Sequence, residues 1–110
     1  MKDKKKLFDQ EKVAIVYMGM AEKNEKTAND LEKAGDKKSL VDRESVLCKC
    51  VKYYGGAKDR FFNICLSFKQ ANCDVDNETA KLLKRCRKNY LHCKKKINEI
   101  NKRIGTIVLY

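Results

Sequence analysis

Apolar residues recur at helical intervals along nearly the whole chain, and the intervals predict about four helices. Over about residues 4–34, Leu7, Ala14, Ala21 and Ala28 repeat every seven positions, and Phe8, Ile15, Met18 and Leu31 widen the stripe. Gly35 follows as a C-cap, because glycine enters the left-handed region without a Cβ clash. Val13, Val16, Tyr17 and Met20 lie off the stripe. The middle of this helix is therefore apolar most of the way round, which predicts a central helix covered by the others.

Ser39 and Asp42 form a capping-box-like start to a second helix. Its buried face is Leu40, Leu47, Val51 and Tyr54, and Gly55-Gly56 is expected to end it. A third helix, about residues 57–71, buries Phe61, Ile64, Cys65 and Phe68. The turn formers Asn72 to Asp76 then break the chain. In the last helix, about residues 77–104, Leu83, Tyr90, Ile97 and Ile104 hold one heptad position, while Cys86, Cys93, Ile100 and Ile107 hold the other. Opposite this seam stand Lys81, Lys88, Lys95 and Lys102 in register. The tail, residues 106–110, is apolar enough to be expected to dock on the bundle.

The 110 residues suffice for one domain, residues 1–110, and not for two. Proline and tryptophan are absent and glycines number five, a composition that favours helix over strand. No stretch approaches the length of a membrane span. Val13–Ala21, after the basic start Met1–Lys6, faintly imitates a signal peptide. Asp9, Gln10, Glu11 and Lys12 interrupt the imitation, so the segment reads as core helix. A secreted form would then already have lost its leader.

Six cysteines, Cys48, Cys50, Cys65, Cys73, Cys86 and Cys93, change the picture. An even count in a short chain reads first as a disulfide framework, which belongs to an oxidising compartment. Cys86 and Cys93, seven residues apart on one helix, are separated by about 10.5 Å and cannot pair with each other. Cys48 and Cys50 point to nearly opposite sides and should reach different partners. Cys48 and Cys65 are almost equidistant from the diglycine, which makes them a candidate pair. Reduced core thiols and a metal site are the rival readings. Cys48-Lys-Cys50 and His92-Cys93 supply ligand types but not the usual spacings. Asn77-Glu78-Thr79 is a glycosylation sequon, in keeping with secretion.

The net charge is +11, and residues 81–103 carry +9 of it, with Glu99 their one acid. Solubility alone does not ask for such segregation. Lys84, Arg85, Arg87, Lys88, Lys94, Lys95 and Lys96 are the expected centre of a surface for anionic or protein partners. Nucleic acid is disfavoured, because no recognition module or interleaved stacking aromatic accompanies the charge. Tyr53, Tyr54, Phe61 and Phe62 read as core. The lone His92 has no nearby carboxylate, and no catalytic motif is present, so the chain reads as no enzyme, with no cofactor.

The helical Cys48-x-Cys50 segment, the basic run Leu82 to Cys86 and the run Cys93 to Ile97 resemble the salivary effectors of blood-feeding insects. The nearest is the anopheline anophensin/albicin-like family. The resemblance lies in size, charge and cysteine placement over most of the chain. It implies a secreted inhibitor of host defence that docks on plasma protein complexes, namely the alternative complement pathway convertase or contact-phase coagulation proteins. The stretch Cys50 to Gly55 is also similar to a segment of the small odorant-binding-like salivary proteins of sand flies. That resemblance implies binding of anionic polymers, although the cysteine spacing departs from the odorant-binding pattern.

Three functions are thus open. The first is an extracellular inhibitor docking on a host plasma protein or protein complex. The second is a binder of anionic polymers such as polyphosphate or heparin. The third is an intracellular nucleic-acid-associated helical protein with reduced cysteines. The off-stripe apolar positions of the first helix also leave a homodimer open.

Overall fold

The computed structural model describes residues 4–71 and 76–105, with backbone alone for 69–71, and among them every regular element is α-helical. Three helices, not four, are present: α1 (Lys4–Ala34), α2 (Lys37–Ala71) and α3 (Asn77–Arg103). They run up, down and up in a narrow rod of 56 × 19 × 16 Å. The radius of gyration, 17.1 Å, exceeds the roughly 13 Å of a compact chain of this length. A rod is the expected outcome when the chain spends itself on three long helices.

The turn between α1 and α2 needs only two residues. Gly35 takes a left-handed φ of 73° and its N–H bonds to the Leu31 carbonyl at 3.3 Å, closing α1. Asp36 then caps α2, its carboxylate accepting from the Ser39 N–H at 3.1 Å and the Ser39 hydroxyl at 2.6 Å. The cap is thus Asp36, three residues ahead of the expected Ser39. Asp76 does the same for α3, accepting from the Thr79 N–H at 2.8 Å.

Gly55-Gly56 does not end a helix. Both residues lie inside α2 with no left-handed φ, so the second and third expected helices are one. The reason is a seam that never breaks. Arg43, Leu47, Cys50, Tyr54, Ala57, Phe61 and Ile64 follow one another at alternating intervals of four and three residues, and all are buried. Continuing the helix keeps every one of them in the core, which outweighs the intrinsic cost of two glycines.

The central helix is α2. It packs closely along both neighbours, whereas α1 and α3 approach each other at longer range. The expectation that α1 is central therefore fails: Val13, Ile15, Val16 and Met20 are all exposed. Leu7, Ala14, Ala21 and Ala28 do form the buried stripe of α1. Their small size lets α2 come close enough for the Cys50 thiol to reach the Ala21 carbonyl at 3.5 Å. On α3, Leu82, Cys86, Cys93 and Ile100 are deepest, with Leu83, Tyr90, Ile97 and Ile104 half-buried beside them.

The expected staples are absent among the described residues. Cys48, Cys50, Cys65, Cys86 and Cys93 are all free thiols; Cys73 lies outside the described residues, as does the tail 106–110. Cys48 and Cys65 share α2, seventeen residues apart, so the helical rise separates them by about 25 Å and forbids the pairing proposed for them.

Continuity of α2 has a direct test. A Cβ on Gly55 would meet nothing within 4 Å, and the backbone is helical there. Gly55→Ala should therefore stabilise the fold by about 0.5–1 kcal/mol in chemical denaturation. A turn at this position would give the opposite sign.

Candidate functional site

The cations of α3 divide between two faces of the helix. One set turns toward α1. Arg85 grips Glu11 with two parallel bonds of 2.8 and 2.9 Å, and the Glu11 side chain is 7% exposed. Lys96 bonds Glu25 at 2.9 Å, and Arg103 bonds Glu32 at 2.9 Å and the Asn29 side chain at 2.8 Å. Lys4 extends the same edge by bridging Asp76 and Glu78. Glu11, Glu25 and Glu32 share one heptad position of α1, so an acidic edge on α1 meets a basic edge on α3 along most of the rod.

Two further groups complete this seam. Tyr54, fully buried on α2, donates its hydroxyl to Glu25 at 2.9 Å. Burial disfavours a charged Glu25, but the bonds from Lys96 and Tyr54 outweigh it and hold the carboxyl below its ordinary range. Arg43 is buried at the end of the rod. It reaches Glu32 at 3.3 Å, Glu44 at 3.1 Å and the Arg103 carbonyl at 3.3 Å. Glu44 in turn accepts the N–H of Gly105, whose φ is 81°. This cluster caps the C-terminus of α3, where a cation also complements the helix dipole.

The second set of cations lies off this seam, exposed to solvent. Lys81, Lys84, Arg87, Lys88, Lys94, Lys95 and Lys102 are all exposed, and none forms an ion pair among the described residues. Lys81, Lys88, Lys95 and Lys102 stand about 10.5 Å apart along the axis, a stripe of about 31 Å. Leu91, 56% exposed, sits in the middle of it, with Arg87 and Lys88 on the turn before and Lys94 and Lys95 on the turn after. The hollow lined by Leu91, Lys94, Lys95, Asn98, Glu99 and Lys102 is an open depression on this one helix rather than a cavity.

Of the seven basic residues singled out by sequence, the structure brings Lys84, Arg87, Lys88, Lys94 and Lys95 to this outer face. Arg85 and Lys96 belong to the inner seam instead. Glu11, Glu25, Glu32 and Arg43 are not among the residues the sequence points to, and Tyr54, expected as core, is core and also bonds Glu25. The signal for the glutamates was present, since they recur at sevens beside the alanine stripe; that for Arg43 was its place in the four-three spacing of α2.

The remaining candidates supply little chemistry. His92 is exposed and stands edge-on to Tyr54, with ring centroids 6.4 Å apart. Tyr54 and Phe61 are core; Tyr53 lies against Tyr17 and Phe62 against Tyr90. Burial pushes the thiols of Cys50 and Cys93 up to about 11 and that of Cys86 up to about 12, so they stay protonated and weakly nucleophilic near neutrality. Cys48 and Cys50 differ in setting, the one exposed and the other buried. Among the described residues no three His, Cys, Asp or Glu side chains gather into a metal site, and no helix is long and apolar enough to cross a membrane. Every buried side-chain nitrogen or oxygen described has a hydrogen-bond partner, so none marks the place of a missing ligand. Asn77 of the sequon is exposed in the first turn of α3. Val13–Ala21 lies wholly within α1.

Comparison with known proteins finds no matching protein-family model, curated protein or solved structure.

The buried thiols make the fold sensitive to alkali. Each has a folded value above the ordinary 9.0, so its contribution is complete below 9.0 and is lost as pH rises through about 11 to 12. Denaturation midpoints measured across this range should fall steeply, and replacing Cys86 by alanine should flatten the fall while lowering stability at neutral pH.

Proposed function

We propose that the chain is a non-enzymatic binding protein whose ligand is an extended polyanion of the polyphosphate or heparin type, held along the outer face of α3. The observation that carries this reading is the partition of α3's cations. The fold uses Arg85, Lys96 and Arg103 internally and leaves a straight, unneutralised row beside them. A row with a 10.5 Å repeat fits a linear polymer with charges all along it better than a compact anion, because the hollow beside Leu91 is an open depression.

A second reading keeps the same face but gives it to a protein, as an extracellular inhibitor docking on a plasma protein complex would require. The exposed Leu91 favours it, because an apolar side chain ringed by cations suits an acidic surface with an apolar socket and gives a bare polyanion nothing. Secretion has lost its strongest argument with the disulfide framework, and rests on the sequon and the family resemblance.

Heparin and long-chain polyphosphate, titrated at several salt concentrations, test the first reading. Affinity should fall with a log–log slope of roughly 3 to 5, as counterion release from that many contacts demands. Lys88→Glu with Lys95→Glu should abolish binding, whereas Lys49→Glu with Lys52→Glu on α2 should leave most of it. Binding that ignores salt and the α3 pair would overturn the proposal. Leu91→Ser separates the two readings, being neutral for a polyanion and costly for a protein partner.

A further inference from the structure

Among the described residues, none covers the face of α1 turned away from the bundle. Val13, Val16 and Met20 follow each other at intervals of three and four residues and are 44%, 61% and 40% exposed. Single exposed apolar residues are ordinary; three in one stripe form a patch. Gly19 lies beside them in the middle of the helix. Its φ is not left-handed, and a Cβ there would meet nothing within 4 Å. Neither backbone conformation nor packing within the chain asks for glycine, which weakens a helix relative to alanine. On an exposed face, glycine permits the close approach of a second backbone.

The charges bounding the stripe are complementary to themselves. Asp9 stands seven residues before Val16 and Lys23 seven residues after it, on the same face. Both are exposed, and neither has an ion pair among the described residues. A copy of the same stripe laid antiparallel therefore sets each Asp9 opposite a Lys23.

We propose that this face is the interface of an antiparallel, two-fold symmetric dimer of the chain, centred on Val16. Residues on the same edge of the stripe and at the same distance before and after Val16, to within one position, then oppose one another, as an isologous contact requires. Val16 meets its own copy at the axis, and Val13 packs against Met20 of the second copy. Gly19 accommodates the aliphatic stem of Lys12 of the second copy, and the Asp9–Lys23 pair forms twice.

The dimer also determines where the basic stripes lie. In each copy α3 sits to one side of α1, fixed there by the Glu11–Arg85 and Glu25–Lys96 pairs. The two-fold axis stands perpendicular to the plane of the paired α1 helices, so it carries both α3 helices to the same side. Two antiparallel lysine rows then share one face, and an extended polyanion engages both with the gain in avidity that linked sites provide.

Sedimentation equilibrium on the full chain, from micromolar to millimolar concentration, tests the dimer without any ligand. A monomer–dimer equilibrium is expected. Val16→Glu should abolish it with helicity by circular dichroism unchanged, since the side chain already faces solvent. Asp9→Lys and Lys23→Asp should each weaken association about tenfold, and the double swap should restore it. A chain that stays monomeric to millimolar concentration, a dimer that survives Val16→Glu, or a double swap no better than its single parents would overturn the proposal.

Discussion

The structure depends on the two different edges of α1. One edge is alanine at every seventh position, and it faces α2. The other is glutamate at three of its turns, and it faces α3. Alanine allows a close helix–helix approach, so α2 lies tight against α1 and the large side chains Leu47, Tyr54, Phe61 and Ile64 of α2 fill the space between the helices. Glutamate needs a long cation as its partner, so α3 stands further from α1 and is tied to it by Arg85, Lys96 and Arg103. A single helix thus sets the spacing of the whole rod by the size and charge of what it presents on each side.

The ion pairs of that seam are better understood as specifying than as stabilising. Removing two charges from water costs several kcal/mol before their attraction repays it, and a well-packed apolar pair is often as good. What the pairs add is direction and register. Antiparallel placement of α3 against α1 would leave the half-buried and buried glutamates without cations, and a shift by one turn would do the same. Only the observed up-down-up arrangement satisfies Glu11, Glu25 and Glu32 together. The same selection pairs three cations of α3 with carboxylates and leaves the others unpaired on the rest of the helix, so the charge asymmetry of the molecule follows from its folding.

Much of this was legible in the sequence, and the failures have physical causes. The alanine stripe of α1 and the cysteine–isoleucine seam of α3 are period-seven patterns, and the structure buries the first together with Cys86, Cys93 and Ile100 of the second. The lysine stripe could be found for the same reason, since a heptad position opposite a seam is a geometric statement. The diglycine carries a local signal for a turn, but the four-three spacing from Arg43 to Ile64 passes through it unbroken, and burial of that seam prevails over local propensity. The apolar residues around the middle of α1 suggest a central helix, whereas its contact with α2 is the narrow, close one that the alanines alone define. Arg85 and Lys96 read as free cations in the sequence because their partners lie 74 and 71 residues away, and nothing local announces such a pairing. Glu11 and Glu25 needed the opposite inference, that a charge on an inner edge implies a distant countercharge.

The cysteines show how count and position can point to different chemistries. An even number in a short chain argues for cross-links, but Cys50, Cys86 and Cys93 occupy seam positions where any small apolar side chain would serve. In a rod 19 Å by 16 Å in section there is no room for larger residues at every layer. The core alternates accordingly, with alanine and cysteine set among tyrosine, phenylalanine and leucine. A thiol fills such a site only while it stays protonated, and burial guarantees that near neutrality. Cys50, Cys86 and Cys93 therefore give the thin core its fit rather than its staples, and the burden of holding three long helices in one register passes to the acidic edge of α1.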